Sequence, residues 1–135
     1  MELQLKIIGS ILIVLALIHT IFPRYFKWTN ELDGLSLINR QMMYVHTFFI
    51  ALIVFLMGLL CLTSSTELLE TNLGKKLSLG LFMFWATRLY IQFFVYSSIL
   101  WRGKKIETII HILFSFLWTY FITVFFIAYW QNKNV

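Results

Sequence analysis

The sequence predicts an all-α fold, an integral membrane bundle of four helices in up-down-up-down order. Of the 135 residues, 60% are hydrophobic and only 13% are charged, whereas soluble domains carry roughly 25% charged residues. Four apolar runs, each about as long as a bilayer crossing requires, are separated by short polar connectors. Backbone groups in lipid must be hydrogen-bonded internally, so these runs are expected to be helices. We therefore expect a single transmembrane domain over residues 1–135.

The first two runs are expected at about residues 5–22 and 42–63. The first ends before Pro23, because proline cannot continue a helix. Basic and aromatic residues follow it, as is typical of the boundary with lipid headgroups. The second contains no Asp, Glu, Lys or Arg, and His46 lies near its start. Both runs are long enough to cross a bilayer.

The other two runs are expected at about residues 77–101 and 106–130. The third is apolar except for Arg88, Gln92 and small hydroxyl side chains. A short basic turn leads to the fourth, which holds Glu107 and His111 near its start. Connectors this short predict antiparallel neighbouring helices.

Charge and motifs limit the classes of partner. The net charge is +5, but the basic residues lie in the connectors, which favours anionic headgroups of a lipid bilayer over nucleic acid. The sequence has no P-loop, G-x-S-x-G or H-E-x-x-H motif, so nucleotide binding, serine acyl transfer and zincin chemistry lack support. Few small residues permit close helix contact, among them Gly9 and Gly58, and no GxxxG motif occurs. That dimerisation signal is therefore absent. Whether the protein is a homo-oligomer stays open.

The basic residues also predict an orientation. One membrane face, formed by the first and third connectors, carries six of them: Arg24, Lys27, Arg40, Arg102, Lys104 and Lys105. The other face carries four: Lys6, Lys75, Lys76 and Lys133. The positive-inside rule therefore favours the first face as cytoplasmic.

All three histidines are expected near that cytoplasmic face. His19 lies near the end of the first run, while His46 and His111 lie near the starts of the second and fourth. At 1.5 Å per residue, they fall within about one helical turn of a common depth. Glu107 is four residues before His111, on the same helix face. Imidazole and carboxylate ligands suit zinc, copper or iron, so the sequence predicts a metal site formed by His19, His46, His111 and Glu107.

Two other interpretations of the histidines stay open. Two of them could be the axial ligands of a haem b, whose propionates would meet Arg24, Arg40 or Arg102. Alternatively, the histidines only form hydrogen bonds that hold the helices together.

Arg88 and Gln92 form a second candidate site, for a ligand. They are four residues apart and share one helix face. An arginine inside a membrane costs roughly 2.5–3.5 kcal/mol on insertion scales and usually has a partner. That partner is expected to be Glu107, or the carboxylate or phosphate of a bound molecule. The alternative is that Arg88 only stabilises the bundle by bonding helix carbonyls or Glu107.

Several segments resemble known bacterial membrane proteins. The opening IIGSILIVLALIHTIFP, an apolar helix with an early glycine that ends near His-x-x-x-Pro, resembles small four-helix proteins of the DoxX-like type. NRQMMYVHTFF, FWATRLYIQFF and LWRGKKIETIIHILF are similar to segments of an uncharacterised bacterial membrane family. The resemblance implies a compact bundle in the bacterial cytoplasmic membrane and a shared polar site, and it implies no activity.

The leading functional expectation is a membrane protein that binds a metal ion at its histidine-rich site. It could be a small metalloenzyme or redox protein acting on a hydrophobic substrate, because a metal can activate water or supply electrons. The alternative is a non-catalytic bundle that binds a lipid, a quinone or haem, or that serves as a subunit of a larger membrane complex. Whether the protein is an enzyme stays open at this point.

Overall fold

The computed structural model describes residues 1–132, and the regular structure in this range is helical. The helices are α1 Glu2–His19, α2 Phe22–Tyr25, α3 Trp28–Glu31, α4 Leu37–Thr63, α5 Ser65–Glu70, α6 Asn72–Phe94 and α7 Lys105–Gln131, with a 3₁₀ helix at Ser98–Leu100. Helices α1, α4, α6 and α7 are long and apolar enough to cross a membrane. This confirms the all-α class and indicates a multi-pass membrane protein. Lys133, which entered the orientation argument, lies outside the described residues.

Some helices begin or end at other residues than expected, because local side chains determine where a helix starts and stops. Helix α4 begins at Leu37 rather than near residue 42, because the polar residues 39–41 contain no helix breaker. His46 is therefore nine residues after the helix start, about 13 Å along the axis. Helix α6 begins at Asn72, where the Thr71 side chain caps it, and ends at Phe94. The connector after it includes the 3₁₀ helix, which is capped by Ser97.

The chain forms two compact units, Leu3–Ser65 and Met1–Glu2 with Thr66–Val135. In the Leu3–Ser65 unit, α1 and α4 approach closely at two glycines. A Cβ atom on Gly9 would lie 2.8 Å from the carbonyl oxygen of Gly58, and one on Gly58 would lie 2.9 Å from that of Gly9. Gly9 also faces Leu62 whereas Gly58 faces Ile13, so the two helices run antiparallel. Glycine has no Cβ atom to keep the helices apart, so the two backbones can approach closely.

In the other unit, α6 and α7 form an antiparallel hairpin. Trp118 of α7 stacks on Trp85 of α6, and further along α7 the ring of Phe126 contacts Phe82, which is earlier in α6. The buried residues of α6 recur at intervals of three, four and seven, the spacing of a helix–helix seam; they are Gly74, Ser78, Leu81, Trp85 and Gln92. The matching buried residues of α7 are Trp118, Phe121, Val124, Phe125 and Ala128. This packing aligns the polar residues of the two helices.

The start of α6 is held by the turn that joins it to α5. The Gly74 N–H donates to Thr71 Oγ1 at 2.9 Å. The side-chain amide of Asn132, just beyond α7, donates to the carbonyl oxygens of Leu68 and Thr71 at 3.2 and 2.9 Å. A Cβ atom on Gly74 would lie 2.1 Å from the carbonyl oxygen of Glu67. The turn therefore requires glycine at residue 74, and it anchors the far end of the hairpin.

Candidate ligand-binding site

Gln92 is the centre of a hydrogen-bond network between α6 and α7. It is 5% exposed, and its Nε2 donates to the carbonyl oxygen of His111 and to Ser115 Oγ, both at 3.0 Å. Trp118 Nε1 donates to Gln92 Oε1 at 2.8 Å. An indole N–H can only donate, so this bond determines which end of the amide is the oxygen. Both ends of the amide are thus satisfied, and the network holds the two helices in register.

The His111 ring is held between aromatic side chains at the start of α7. It stacks on Trp101 with ring centroids 3.9 Å apart and an 8° angle between planes, and Phe93 meets it edge-on at 5.6 Å. Thr108 Oγ1 donates to the carbonyl oxygen of Trp101 at 2.6 Å, which restrains the stacking residue. His111 Nδ1 also lies 3.4 Å from Gln92 Nε2. The imidazole is therefore part of the hairpin's packing.

Arg88 lies one turn before Gln92 on α6. Its guanidinium carbon is 5.5 Å from the ring centroid of Trp118 and 5.7 Å from that of Tyr96, within the range of cation–π attraction. Its Nη1 is buried and has no hydrogen-bond partner within residues 1–132. The expected ion pair with Glu107 does not form, because Arg88 turns to aromatic rings while Glu107 is exposed at the start of α7.

Trp85, on the same side of α6 as Arg88, carries a second buried hydrogen-bond donor. It is 3% exposed, stacks on Trp118 at 4.8 Å and meets Phe121 edge-on at 5.0 Å. Its Nε1 has no hydrogen-bond acceptor in the described part of the chain. Trp85 and Arg88 are three residues apart and both contact the Trp118 ring. The hairpin therefore holds two unsatisfied N–H groups beside one satisfied amide.

The other histidines belong to the Leu3–Ser65 unit. His19 is the last residue of α1, and its Nδ1 is 2.7 Å from the carbonyl oxygen of Leu15. A carbonyl only accepts, so Nδ1 carries the hydrogen and Nε2 of the neutral ring keeps a lone pair. His46 is exposed on α4. Over the described residues, no group of three or more His, Cys, Asp and Glu side chains could hold a metal ion, so the metal and haem sites stay predictions.

The sequence singled out two of the residues described above, Arg88 and Gln92, for their polarity within an apolar run. Their role in ligand binding stays a prediction. Their neighbours Trp85, Tyr96, Ser115 and Trp118 were not expected, although a signal for two of them exists. Trp85 is seven residues before Gln92 and Trp118 is seven residues after His111, and side chains seven apart share a helix face.

Comparison with known proteins shows no family model, no curated protein and no solved structure that matches the chain. The similarity to DoxX-like proteins stays a prediction.

Proposed function

We propose that the chain is a membrane protein whose α6–α7 hairpin binds the polar end of a membrane-soluble small molecule, such as a lipid or a quinone. In this proposal the four long helices form an up-down-up-down bundle in the bacterial cytoplasmic membrane, with the histidine layer on the cytoplasmic side. The observation that carries the proposal is the buried, unpartnered Nη1 of Arg88 within a helix long and apolar enough to span a bilayer.

The position of Arg88 supports a ligand rather than water as the missing partner. Arg88 is six residues before the end of α6 at Phe94, about 9 Å along the helix axis. At that depth below the end of a spanning helix, water is scarce and a charged group needs a partner. The neighbouring aromatic rings attract the guanidinium through cation–π interactions, but they accept no conventional hydrogen bond. A bound acceptor would supply one.

The hairpin is also preorganised for ligand binding. Three hydrogen bonds join Gln92 to α7, so the α6 backbone beside Arg88 has a defined position relative to Trp118. A site that is ordered before the ligand arrives loses less conformational entropy on binding. The aromatic side chains offer apolar contact to the rest of the molecule.

We expect the protein purified in a mild detergent to retain a small molecule that Arg88→Met loses. A hydrogen bond to a charged group contributes about 1.5–3 kcal/mol, so retention should fall at least about tenfold. The measurement is extraction of both proteins and mass spectrometry of the extracts. Arg102→Met removes an exposed arginine of the connector and should retain the molecule. Equal amounts in wild type and Arg88→Met, or none in wild type, would contradict the proposal.

Metal binding by His19, His46, His111 and Glu107 is a second candidate function, which would make the protein a small membrane metalloprotein. It requires these side chains to come together, since the described residues form no such group in the structure. One observation favours it. Metal-ligating histidines nearly always donate their other ring N–H to a carbonyl, carboxylate or water, and His19 donates Nδ1–H to Leu15. This leaves Nε2 of His19 as a lone-pair donor.

For this candidate we expect purified protein to contain about one zinc, copper or iron ion per chain, and His19→Ala to lose it. The measurement is elemental mass spectrometry, with a visible spectrum to detect haem b. Thr20→Ala, which changes the adjacent residue and keeps the histidines, is the control and should retain the metal. A colourless protein without stoichiometric metal would exclude both the metal ion and haem.

A further inference from the structure

We infer that the molecule bound by the α6–α7 hairpin is a monoanion with at least two acceptor oxygens on a long apolar chain, and that Trp85 Nε1 binds it together with Arg88 Nη1. This inference rests on the proposed function and names its ligand class. The shared chemistry is that of a long-chain carboxylate or a phosphodiester lipid.

The two unsatisfied N–H groups determine the polarity of the ligand. Indole and guanidinium N–H groups donate and cannot accept. Both lie on neighbouring turns of α6 and both side chains contact the Trp118 ring, Trp85 at 4.8 Å and Arg88 at 5.5 Å. A ligand that satisfies both donors must present at least two acceptors. The two oxygens of a carboxylate or of a phosphodiester meet this requirement.

The charge of the site selects an anion over a neutral acceptor. Arg88 has no acidic partner in the part of the chain that the structure describes. A neutral carbonyl would satisfy the buried Nη1 but would leave the positive charge of the half-buried guanidinium uncompensated, which is unfavourable in a low-dielectric surrounding. A single cation matches a single negative charge. A dianion such as a phosphate monoester would introduce an excess charge.

The depth of the site requires an apolar chain on that anion. Trp85 and Arg88 lie about 9–14 Å from the end of α6, and the rings beyond them are exposed, with Tyr90 60% and Phe94 74% exposed. Each methylene transferred from water to an apolar surrounding contributes about 0.8 kcal/mol. A long-chain amphiphile is therefore retained at this depth, whereas acetate or inorganic phosphate stays in water.

The test is equilibrium binding to delipidated protein in a neutral detergent. The charged probes are oleate and dioleoylphosphatidylglycerol, and the neutral probes are oleyl alcohol and a long-chain quinone. Inorganic phosphate and acetate test the need for the chain. We expect oleate or phosphatidylglycerol to bind at least about tenfold more tightly than oleyl alcohol. The stronger of the two identifies the source of the anion.

The variants test the two residues separately. Arg88→Met should lose anion binding, while Arg88→Lys, which keeps the charge, should retain part of it. Trp85→Phe keeps an aromatic ring but removes the N–H, and should weaken binding by about tenfold. Trp130→Phe, at a residue that is 74% exposed, is the matched control and should bind like wild type. Circular dichroism and thermal unfolding verify that each variant is folded.

The outcomes separate this inference from the proposed function. If the quinone or oleyl alcohol binds through Arg88 and neither anion does, the proposed function stands and the anion inference is wrong. If acetate or phosphate binds as tightly as oleate, the requirement for an apolar chain is wrong. Unchanged affinity in a folded Trp85→Phe variant overturns the role of Trp85. If no probe binds in an Arg88-dependent manner, the proposed function itself fails.

Discussion

Replacing Gln92 with leucine is expected to destabilise the α6–α7 hairpin by about 1–3 kcal/mol. Leucine fills a similar volume but accepts no hydrogen bond, so the buried indole N–H of Trp118 loses its acceptor, Gln92 Oε1. The hydrogen bonds from the amide to His111 and Ser115 disappear as well. Leaving a buried donor without a partner costs more than the net gain of an ordinary hydrogen bond.

A double-mutant cycle distinguishes this effect from a packing defect. Trp118→Phe removes the indole donor, so the double variant no longer contains the unsatisfied group. We expect the double variant to be less destabilised than the sum of the single variants, by about 0.5–3 kcal/mol. Reversible unfolding in mixed micelles, followed by circular dichroism, gives the free energies. Additive effects within error would show that the two side chains do not depend on each other.

A control is available on the exposed side of the same hairpin. Thr119 is exposed and donates its hydroxyl to the carbonyl oxygen of Ser115, within α7. Thr119→Val should change stability by no more than about 0.5 kcal/mol. A loss for this variant as large as that for Gln92→Leu would mean that any change in the hairpin is harmful.

Replacing Gly74 with alanine is the second change with a large expected effect, a loss of about 1–3 kcal/mol. The added Cβ would lie 2.1 Å from the carbonyl oxygen of Glu67 and 2.6 Å from the Cα of Leu68. These are backbone atoms and cannot rotate away as a side chain can, so α5 must move. The movement would disturb the Thr71 cap and the two hydrogen bonds from Asn132.

Gly80→Ala is the matched control on the same helix. A Cβ at Gly80 meets nothing within 4 Å, so alanine should be neutral or should stabilise α6 by up to about 1 kcal/mol. Unfolding in detergent measures both variants, and limited proteolysis near residues 65–71 detects displacement of α5. Equal stability of the two alanine variants would contradict the close approach at Gly74.

The hairpin that the Gln92 network stabilises is also the one proposed to bind a ligand. Gln92 is satisfied and holds the helices together, whereas Trp85 and Arg88 have buried N–H groups that the described residues leave unsatisfied. These groups lie on one seam, so the residues that fold the hairpin also place the residues proposed to bind a ligand. Damage to the network should therefore reduce ligand retention as well as stability.

The helix ends show where sequence reasoning loses precision. Hydropathy locates an apolar run but carries no information on its caps. Thr71 starts α6 before the apolar run, and the segment with Ser97 follows its end at Phe94. Local hydrogen bonds of Ser and Thr to the backbone decide such ends. The four long helices were predictable because their length and apolar composition suffice to identify them.

By itself, the sequence determined that the protein is helical, that it has four helices able to span a bilayer, and that Arg88 and Gln92 are polar residues of one such helix. The partners of these two residues were decided only by the tertiary structure. Ser115 and Trp118 are 23 and 26 residues from Gln92 along the chain, and the antiparallel register of α6 and α7 brings them into contact. That register depends on side-chain packing along the whole seam, which no local pattern contains. The same packing places Arg88 among aromatic rings, which leave its Nη1 without a hydrogen-bond acceptor in the described part of the chain.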